Sequence, residues 1–394
     1  MSKFWAHVKK QKPCDFTIIL LVTALVIFGV VMVFSASYYN SLNDTGSPFG
    51  YLKKQLFFAL TGFVIMAFMS VIDYHILRKL SMALVVISLI LLVLLFTPIG
   101  TTVNGATRWI SLGPLNIMPG EIAKVAVIVF VAAFLAKDST RILSFKEGVL
   151  PLLLFAGVFG GLIVKQPNLS TAITVCGIVV GMMFLAGLEW KYIIGMLVIG
   201  GGGLFAISKS GTYWASRLTS FTNPFADPQG DGFQAVQSLL ALGTGGLFGL
   251  GLGKSVQKNL YLPEPQNDFI LAIIGEELGF VGVLILLTVF AVLIWRCFII
   301  TMNAPDRFGM YLAGGIALMI GIQVVLNVAV VTSSMPPTGV ALPFVSYGGN
   351  ALWIFMGAAG VILNVSRQCQ KAEAPEPRLR RHRAGLARES RERI

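Results

Sequence analysis

The sequence is poor in charge, in cysteine and in histidine. Only 12% of its 394 residues are charged, whereas 56% are hydrophobic. Four cysteines are present, and no two of them have the spacing of a disulfide framework or a metal site. We therefore interpret them as apolar filler. They are Cys14, Cys176, Cys297 and Cys369.

What the sequence has in abundance is apolar runs close to the length of about 20 residues that crosses a bilayer. They predict an all-α polytopic integral membrane protein with about ten transmembrane helices. The chain then divides into an N-terminus (1–15), a transmembrane domain (16–366) and a basic tail (367–394) that we expect to be disordered. The predicted spans are 16–36, 55–73, 79–97, 118–136, 149–165, 169–188, 191–208, 269–295, 308–331 and 350–366.

The distribution of Lys and Arg predicts the orientation of these spans. With both termini in the cytoplasm, the inner segments hold 21 Lys and Arg and the outer segments hold 7, as the positive-inside rule requires. One large outer loop, 209–268, then lies between the seventh and eighth spans. Lysines precede a first span of full length with no small-residue cleavage site, so we expect no cleavable signal peptide.

This orientation bears on partners and on chemistry. The net charge of +12 comes mostly from the tail, which we interpret as a solvated segment near anionic lipid, with no nucleic-acid role. His7, His75 and His382 all fall on the cytoplasmic side. A site that faces outward must therefore work without histidine.

Asp268 stands where a polar, proline-broken loop becomes a long apolar helix. Pro263 and Pro265 keep the approach extended, so this helix is expected to begin at about Asn267 or Asp268. Asp268 is either the N-cap of the helix or a general base at the mouth of a cavity. The two interpretations differ, because Asn caps a helix as well as Asp but cannot take a proton.

Charged residues also recur near the outer ends of other spans. Arg108, beside Trp109 in a Gly/Pro-rich loop, is either an interfacial anchor or a ligand for a diphosphate. Glu121 and Lys124 are three residues apart on one face of the fourth span. They form either a self-neutralising pair or part of the wall of a water-filled cavity.

Three further segments are polar or rich in glycine and proline. Lys165, Gln166 and Asn168 form a short polar turn between two spans. Glycines at 243–253 lack the strand-to-helix context of a phosphate loop, so we expect a groove that a lipid or a neighbouring helix approaches closely. The segment 333–350 cannot be a lipid-facing helix and should fold back beside 261–268. One outward-facing cavity is then expected to gather the polar elements around Arg108, Glu121, Lys124, Gln166, Asp268 and Ser346.

Two long stretches resemble signature regions of the SEDS family (shape, elongation, division, sporulation). They are GDGFQAVQSLLALGTGGLFGLGLGKSVQKNLYLPEPQNDFILAIIGEELGF and NVAVVTSSMPPTGVALPFVSYGGNAL. TRWISLG and the ten-span layout agree with them. The resemblance covers about residues 12–368 and is nearer the FtsW and SpoVE branch than the RodA branch.

The resemblance implies a peptidoglycan glycosyltransferase that polymerises lipid II at the outer face of the bacterial cytoplasmic membrane, for cell division or sporulation. Its expected partners are a class B penicillin-binding protein, which acts as transpeptidase, and other cell-wall synthesis proteins. The family's essential aspartate matches Asp268, its loop arginine matches Arg108, and its fourth-span acid and lysine match Glu121 and Lys124. Asn168 departs from the pattern, because the family often has an aspartate there.

The corresponding hypothesis is an inverting transfer in which Asp268 deprotonates a sugar 4-hydroxyl that attacks C1 of a second lipid-linked disaccharide. Arg108 with Lys124 or Lys165, or a divalent cation (Mg²⁺ or Mn²⁺) held partly by Asp268, would stabilise the departing polyprenyl diphosphate. No organic cofactor is expected. A lipid II flippase is the alternative, although it should expose polar groups on both faces. Further substrate contacts are expected at Glu121, Gln166, Asn168, Glu264, Ser346 and Gly348.

Overall fold

The computed structural model describes residues 13–103, 106–112, 115–208, 221, 223–230 and 232–369. Most of the N-terminus 1–15, most of the tail 367–394 and residues 209–220 of the long loop lie outside the described residues. The described helices are α1 (Phe16–Thr45), α2 (Gly50–Val71), α3 (His75–Leu94), α4 (Pro119–Lys137), α5 (Leu150–Val164), α6 (Leu169–Leu185), α7 (Trp190–Ser208), α8 (Phe233–Gly245), α9 (Ile270–Met302), α10 (Arg307–Val331) and α11 (Gly349–Gln368).

The polytopic helical architecture predicted from the apolar runs is confirmed. Among the described residues, 8 helices are long and apolar enough to cross a membrane: α1 to α4, α5 with the turn before it, and α9 to α11. The shorter apolar helices α6 and α7 coincide with the other two predicted spans. α8 is a further helix within the loop between the seventh and eighth spans.

A small sheet between α3 and α4 departs from the all-α expectation. Strands β1 (Gly100–Val103), β2 (Ala106–Leu112) and β3 (Leu115–Ile117) pair antiparallel in the order β1-β2-β3. β-branched and aromatic residues favour strands, but these strands are too short to stand out from a Gly/Pro-rich loop. Arg108 consequently lies on β2.

α10 is a central helix of the bundle. It packs against α9, α4 and α6, and 67% of its most apolar stretch is buried, compared with 17% in α3. A polar side chain on α10 therefore faces protein on most sides. Such a side chain must find its hydrogen-bond partners there.

The glycine-rich segment after α8 runs along α9 where α9 is kinked at Gly279, whose φ is 69°. At the kink the two backbones exchange hydrogen bonds that the helix cannot make internally. Glycine is needed because a Cβ on Gly249 or Gly245 would overlap a backbone carbonyl of α9. The close approach expected for these glycines is confirmed. In each of these hydrogen bonds a backbone N–H donates to a backbone carbonyl at 2.9 to 3.1 Å. The donor and acceptor residues are Leu250 and Glu276, Gly251 and Glu277, Phe280 and Gly246, and Val281 and Leu247.

A buried polar network also holds the same loop against α1 and α9. Lys258 Nζ is 2.8 Å from Glu277 Oε1 and 3.0 Å from Ser35 Oγ. Glu276 accepts a hydrogen bond from the hydroxyl of Ser255, and both glutamates are 0% exposed. The network fixes the path of the chain toward Asp268.

We predict that Gly249→Ala destabilises the protein more than Gly253→Ala. Both residues have a φ of 80°, so alanine costs about 1–2 kcal/mol of backbone strain at either position. A Cβ at Gly253 meets nothing within 4 Å, whereas a Cβ at Gly249 overlaps the carbonyl oxygen of Glu277. Thermal unfolding in detergent should give a clearly lower midpoint for Gly249→Ala. Equal midpoints would show that stability does not depend on the close contact between the backbone at Gly249 and that of α9.

Candidate functional site

Asp268 is not the N-cap of α9. The helix begins at Ile270, Phe269 holds the N-cap position, and within the described residues no side chain makes a capping bond there. The carbonyl of an N-cap accepts the first helical hydrogen bond. Here the carbonyl of Phe269 accepts from the N–H of Ala272 at 2.9 Å, while the carbonyl of Asp268 accepts from Asn327 Nδ2, also at 2.9 Å. The helix start expected at about Asn267 or Asp268 is therefore wrong by two or three residues, because the backbone of Phe269 is not helical (φ −107°, ψ 17°).

The Asp268 carboxylate and the Arg108 guanidinium come together beside Gly339. A Cβ placed on Gly339 would lie 3.0 Å from Asp268 Oδ2 and 3.2 Å from Arg108 Nη1. Gly339 has a φ of 70°, so both its backbone conformation and the space around it favour glycine. The other terminal nitrogen of Arg108, Nη2, donates to the carbonyl of Pro167. The structure thus joins β2, the α5–α6 turn, the start of α9 and the segment 333–350.

Side chains from two helices hold the backbone around Gly339. Ser170, in the first turn of α6, donates to the carbonyl of Thr338 at 2.7 Å. From α10, Asn327 and Gln323 donate to the carbonyls of the two residues after Gly339, at 2.6 and 3.2 Å. The N–H of Tyr347 also donates to the carbonyl of Gln266 at 2.9 Å, so the prediction that 333–350 folds back beside 261–268 is confirmed.

Glu121 and Lys124 form a buried pair near these carbonyls. Lys124 Nζ is 2.8 Å from both carboxylate oxygens of Glu121 and 2.8 Å from Gln323 Oε1. It also lies 5.4 Å from the ring centre of Phe355. Lys124 is 1% exposed and Glu121 is 5% exposed. This geometry favours the self-neutralising pair over the wall of a water-filled cavity.

Lys165 and Gln166 line a cavity between the sheet and the α5–α6 turn. The cavity has a volume of about 280 Å³, and the hydroxyl-bearing residues Thr97, Thr102 and Thr107 also line it. Lys165 is exposed, while Gln166 is buried and donates to the carbonyl of Leu92 at 3.0 Å. Pro167, which lines the same cavity, links it to Arg108.

Asn168 is the N-cap of α6. Its side-chain oxygen accepts hydrogen bonds from the N–H of Thr171 at 3.3 Å and from the hydroxyl of Ser170 at 3.2 Å. Asn and Asp serve this role about equally well. The departure from the family's aspartate therefore leaves the start of α6 intact.

The remaining predicted residues, Ser346, Gly348 and Glu264, lie within loops or at a helix end, and the contacts of Ser346 and Glu264 are with residues nearby in sequence. Ser346 Oγ accepts from the N–H of Leu342 at 2.7 Å, and Gly348 immediately precedes α11. Glu264 accepts hydrogen bonds from the side chains of Gln266 and Asn267. Partial burial and then the nearby Asp44 carboxylate raise the pKa of the Glu264 carboxyl.

Four contributors to this site were missed in the sequence: Ser170, Gln323, Asn327 and Gly339. One signal was available for two of them. Gln323 and Asn327 are amides four residues apart, and so on one face, in an otherwise apolar span. A polar stripe of that kind marks the side of a membrane helix that faces protein.

Within the described residues, the protein alone supplies no complete set of metal ligands around Asp268. Throughout the described part of the chain, no group of three or more His, Cys, Asp or Glu residues that could hold a metal comes together. The guanidinium of Arg108 also lies beside Asp268, and its positive charge opposes a second cation there. The expectation of Mg²⁺ or Mn²⁺ held partly by Asp268, with substrate phosphate oxygens as further ligands, stays a prediction.

Fold and site together define a polytopic membrane protein whose irregular segments meet, around a carboxylate and a guanidinium, against one central helix. The chain belongs to the FtsW/RodA/SpoVE family of cell cycle proteins, whose family model matches residues 15–371. The resemblance to SEDS proteins seen in the sequence is confirmed.

Individual relatives cover nearly the whole chain. It is 43% identical over 360 residues to stage V sporulation protein E of Bacillus subtilis, covering 91% of this chain and 98% of that protein. It is 41% identical over 365 residues to a probable peptidoglycan glycosyltransferase FtsW of a Geobacter species, covering 92% and 100%.

Solved structures share the fold. A chain from a peptidoglycan synthase complex, studied for the structural coordination of polymerization and crosslinking, matches with a TM-score of 0.75 and 27% identity over 90% of this chain and 98% of that one. The rod shape determining protein RodA of Thermus thermophilus matches with a TM-score of 0.67 and 30% identity over 91% and 98%.

We predict that Lys124→Met destabilises the fold by about 3–5 kcal/mol, because it leaves Glu121 buried and unpaired. The double variant Glu121→Gln/Lys124→Met should regain much of this loss. Thermal unfolding in detergent measures both. Lys191→Met is the matched control, since its pair with Glu189 is more than half exposed and is expected to contribute about 0–1 kcal/mol. Equal, small effects at both lysines would mean that water reaches the Glu121–Lys124 pair.

Proposed function

We propose that this chain is a peptidoglycan glycosyltransferase that polymerises lipid II at the outer face of the cytoplasmic membrane. The observation that carries the proposal is the convergence of Asp268 and Arg108 beside Gly339. One side chain is acidic and the other basic, and they come from distant parts of the sequence. The relatives named as peptidoglycan glycosyltransferases cover nine tenths of the chain, which supports the same activity here.

Asp268 acts as the general base. Its carboxylate accepts the proton of the 4-hydroxyl of the acceptor sugar while that oxygen forms a bond to C1 of the donor disaccharide. The bond from C1 to the diphosphate oxygen breaks on the opposite side, so the configuration at C1 inverts. The electron pair leaves with the polyprenyl diphosphate, and Asp268 afterwards gives its proton to water.

Arg108 stabilises the negative charge that develops on the leaving diphosphate. A guanidinium presents several N–H donors to phosphate oxygens in a fixed geometry. Lys165 is the second cation in this role, because it is exposed and lines the cavity that adjoins Pro167. Lys124 does not bind the diphosphate directly, since its ammonium group is buried and bound to Glu121 and Gln323.

The orientation follows from charge and from the position of the chain ends. The excess of Lys and Arg in the predicted inner segments supports cytoplasmic termini. The two ends of the described chain also lie together, because the N–H of Asp15 donates to Ser366 Oγ at 3.2 Å. With both termini inside, Asp268 faces outward. A class B penicillin-binding protein is the proposed partner, by analogy with the related synthase complex.

A flippase is the less favoured function. Transport of a charged headgroup requires polar groups along a path through the bilayer. The two buried lysines of the described bundle, Lys124 and Lys258, are instead paired with glutamates within the protein. These pairs stabilise helix contacts and offer a headgroup no charge.

We predict that Asp268→Asn lowers the rate of lipid II polymerisation by at least about 100-fold, because the amide cannot accept the proton. The variant should still fold, since Asp268 is not the N-cap of α9 and Asn has nearly the same shape. Its thermal midpoint should fall only modestly, because the Arg108 guanidinium loses the carboxylate beside it. The assay uses labelled lipid II and purified protein, alone and with its cognate transpeptidase.

Asp306→Asn is the matched control. Asp306 is the N-cap of α10, its side chain accepts from the N–H of Gly309, and Asn can take over that role. It should therefore retain activity. Normal polymerisation by Asp268→Asn would show that Asp268 is not the general base. If the wild type makes no glycan with any transpeptidase, the flippase becomes the better account.

A further inference from the structure

Asn327 bridges the two irregular segments of the site with one side-chain nitrogen. Its Nδ2 donates to the carbonyl of Asp268 at 2.9 Å and to the carbonyl of Val340 at 2.6 Å. The residue lies on α10 and is 0% exposed. Val340 directly follows Gly339. The same amide therefore binds the backbone of Asp268 and the backbone next to Gly339, which the Asp268 and Arg108 side chains approach.

The orientation of this amide follows from its partners. Only an NH₂ group can satisfy two carbonyl oxygens, since an amide oxygen in its place would face two other acceptors. Asn327 Oδ1 is buried and accepts no hydrogen bond from the described residues. An unsatisfied buried acceptor is unfavourable. The two bonds that the NH₂ group donates are therefore made at the cost of this buried oxygen.

Gln323 adds a second backbone-binding amide to the same face of α10. One turn before Asn327, its Nε2 donates to the carbonyl of Ala341 at 3.2 Å. Its Oε1 is bound by Lys124, which fixes which end of the amide faces the segment. Two adjacent amides on one helix thus hold two consecutive carbonyls, and the second amide also reaches Asp268.

We propose that Asn327 is a positioning residue that sets the location of Asp268 relative to Gly339 and Arg108. Asp268 precedes the N-cap of α9, so regular helical bonding does not fix its carbonyl. The bond from Asn327 fixes it instead. This inference rests on the proposed role of Asp268 as the base. A misplacement of about 1 Å in a reacting group can cost about 100-fold in rate.

The test compares Asn327→Leu, which lacks both donors, with Asn364→Leu. Asn364 is an equally buried asparagine on α11 whose Nδ2 donates to the carbonyl of Ser70 at 2.9 Å, far from Asp268 in the fold. Both variants should lower the thermal midpoint. Asn327→Ser serves as a milder second variant should Asn327→Leu fail to fold, because a hydroxyl still donates one bond.

Two measurements are made on each folded variant. In lipid II polymerisation, Asn327→Leu should lose about 100-fold in kcat with KM changed only a few-fold, because the base is displaced while the substrate contacts remain. Asn327→Ser should show the same pattern with a smaller loss in kcat. Asn364→Leu should stay within a few-fold of wild type in both constants. In amide hydrogen exchange, residues 264–270 and 338–342 should exchange faster in the Asn327 variants alone.

Two outcomes overturn the inference. One is unchanged exchange at 264–270 in a folded Asn327 variant, which would mean that the amide does not hold Asp268. The other is faster exchange with normal kcat, which would mean that holding it does not matter for the reaction. If wild type itself is inactive, the proposed function fails, and the inference that Asn327 holds the backbone is decided by the exchange measurement alone.

Discussion

The site depends on one constraint: backbone that is not helical, yet lies within an apolar bundle, must find its hydrogen-bond partners in the protein. The segment 333–350 is such a backbone. Gln323 and Asn327 on α10 and Ser170 on α6 supply donors for its carbonyls. The polar side chains of the central helices therefore have a structural task. By holding this segment in place they bring Gly339 against Asp268.

The same constraint has a second solution at the kink of α9. There the unpaired N–H and C=O groups are satisfied by another stretch of backbone, the glycine-rich segment after α8. Main chain can approach main chain this closely only where Cβ atoms are absent, as at Gly249. Where the irregular chain lies one side chain's length from a helix, side-chain amides of that helix make the hydrogen bonds. Where two backbones are in direct contact, glycines allow them to bond each other.

Much of this could be predicted from the sequence. Apolar length and charge are local properties, so the spans followed from them. The rule against exposed irregular backbone in lipid was enough to place 333–350 beside 261–268. The strands around Arg108 could not be predicted, because each is only three to seven residues long and the segment is rich in glycine and proline.

The role of Asp268 shows a second limit of sequence reasoning. Capping preference describes which residue types suit a helix start. It does not say which carbonyl will accept the first helical bond. In this fold the carbonyl of Asp268 accepts from Asn327, which is 59 residues away in sequence, and the helix begins at Ile270. Nothing local to either residue encodes that contact.

The buried Glu121–Lys124 pair belongs to the same arrangement, although its ammonium group is bound within the protein. Lys124 directs its N–H groups at Glu121 and at Gln323 Oε1. With its oxygen bound in this way, the amide of Gln323 can only present its NH₂ group to the carbonyl of Ala341. The ammonium charge therefore fixes an amide orientation, and the amide fixes backbone beside Gly339. An acid and a lysine in the fourth span can thus be required for the site without forming part of its chemistry.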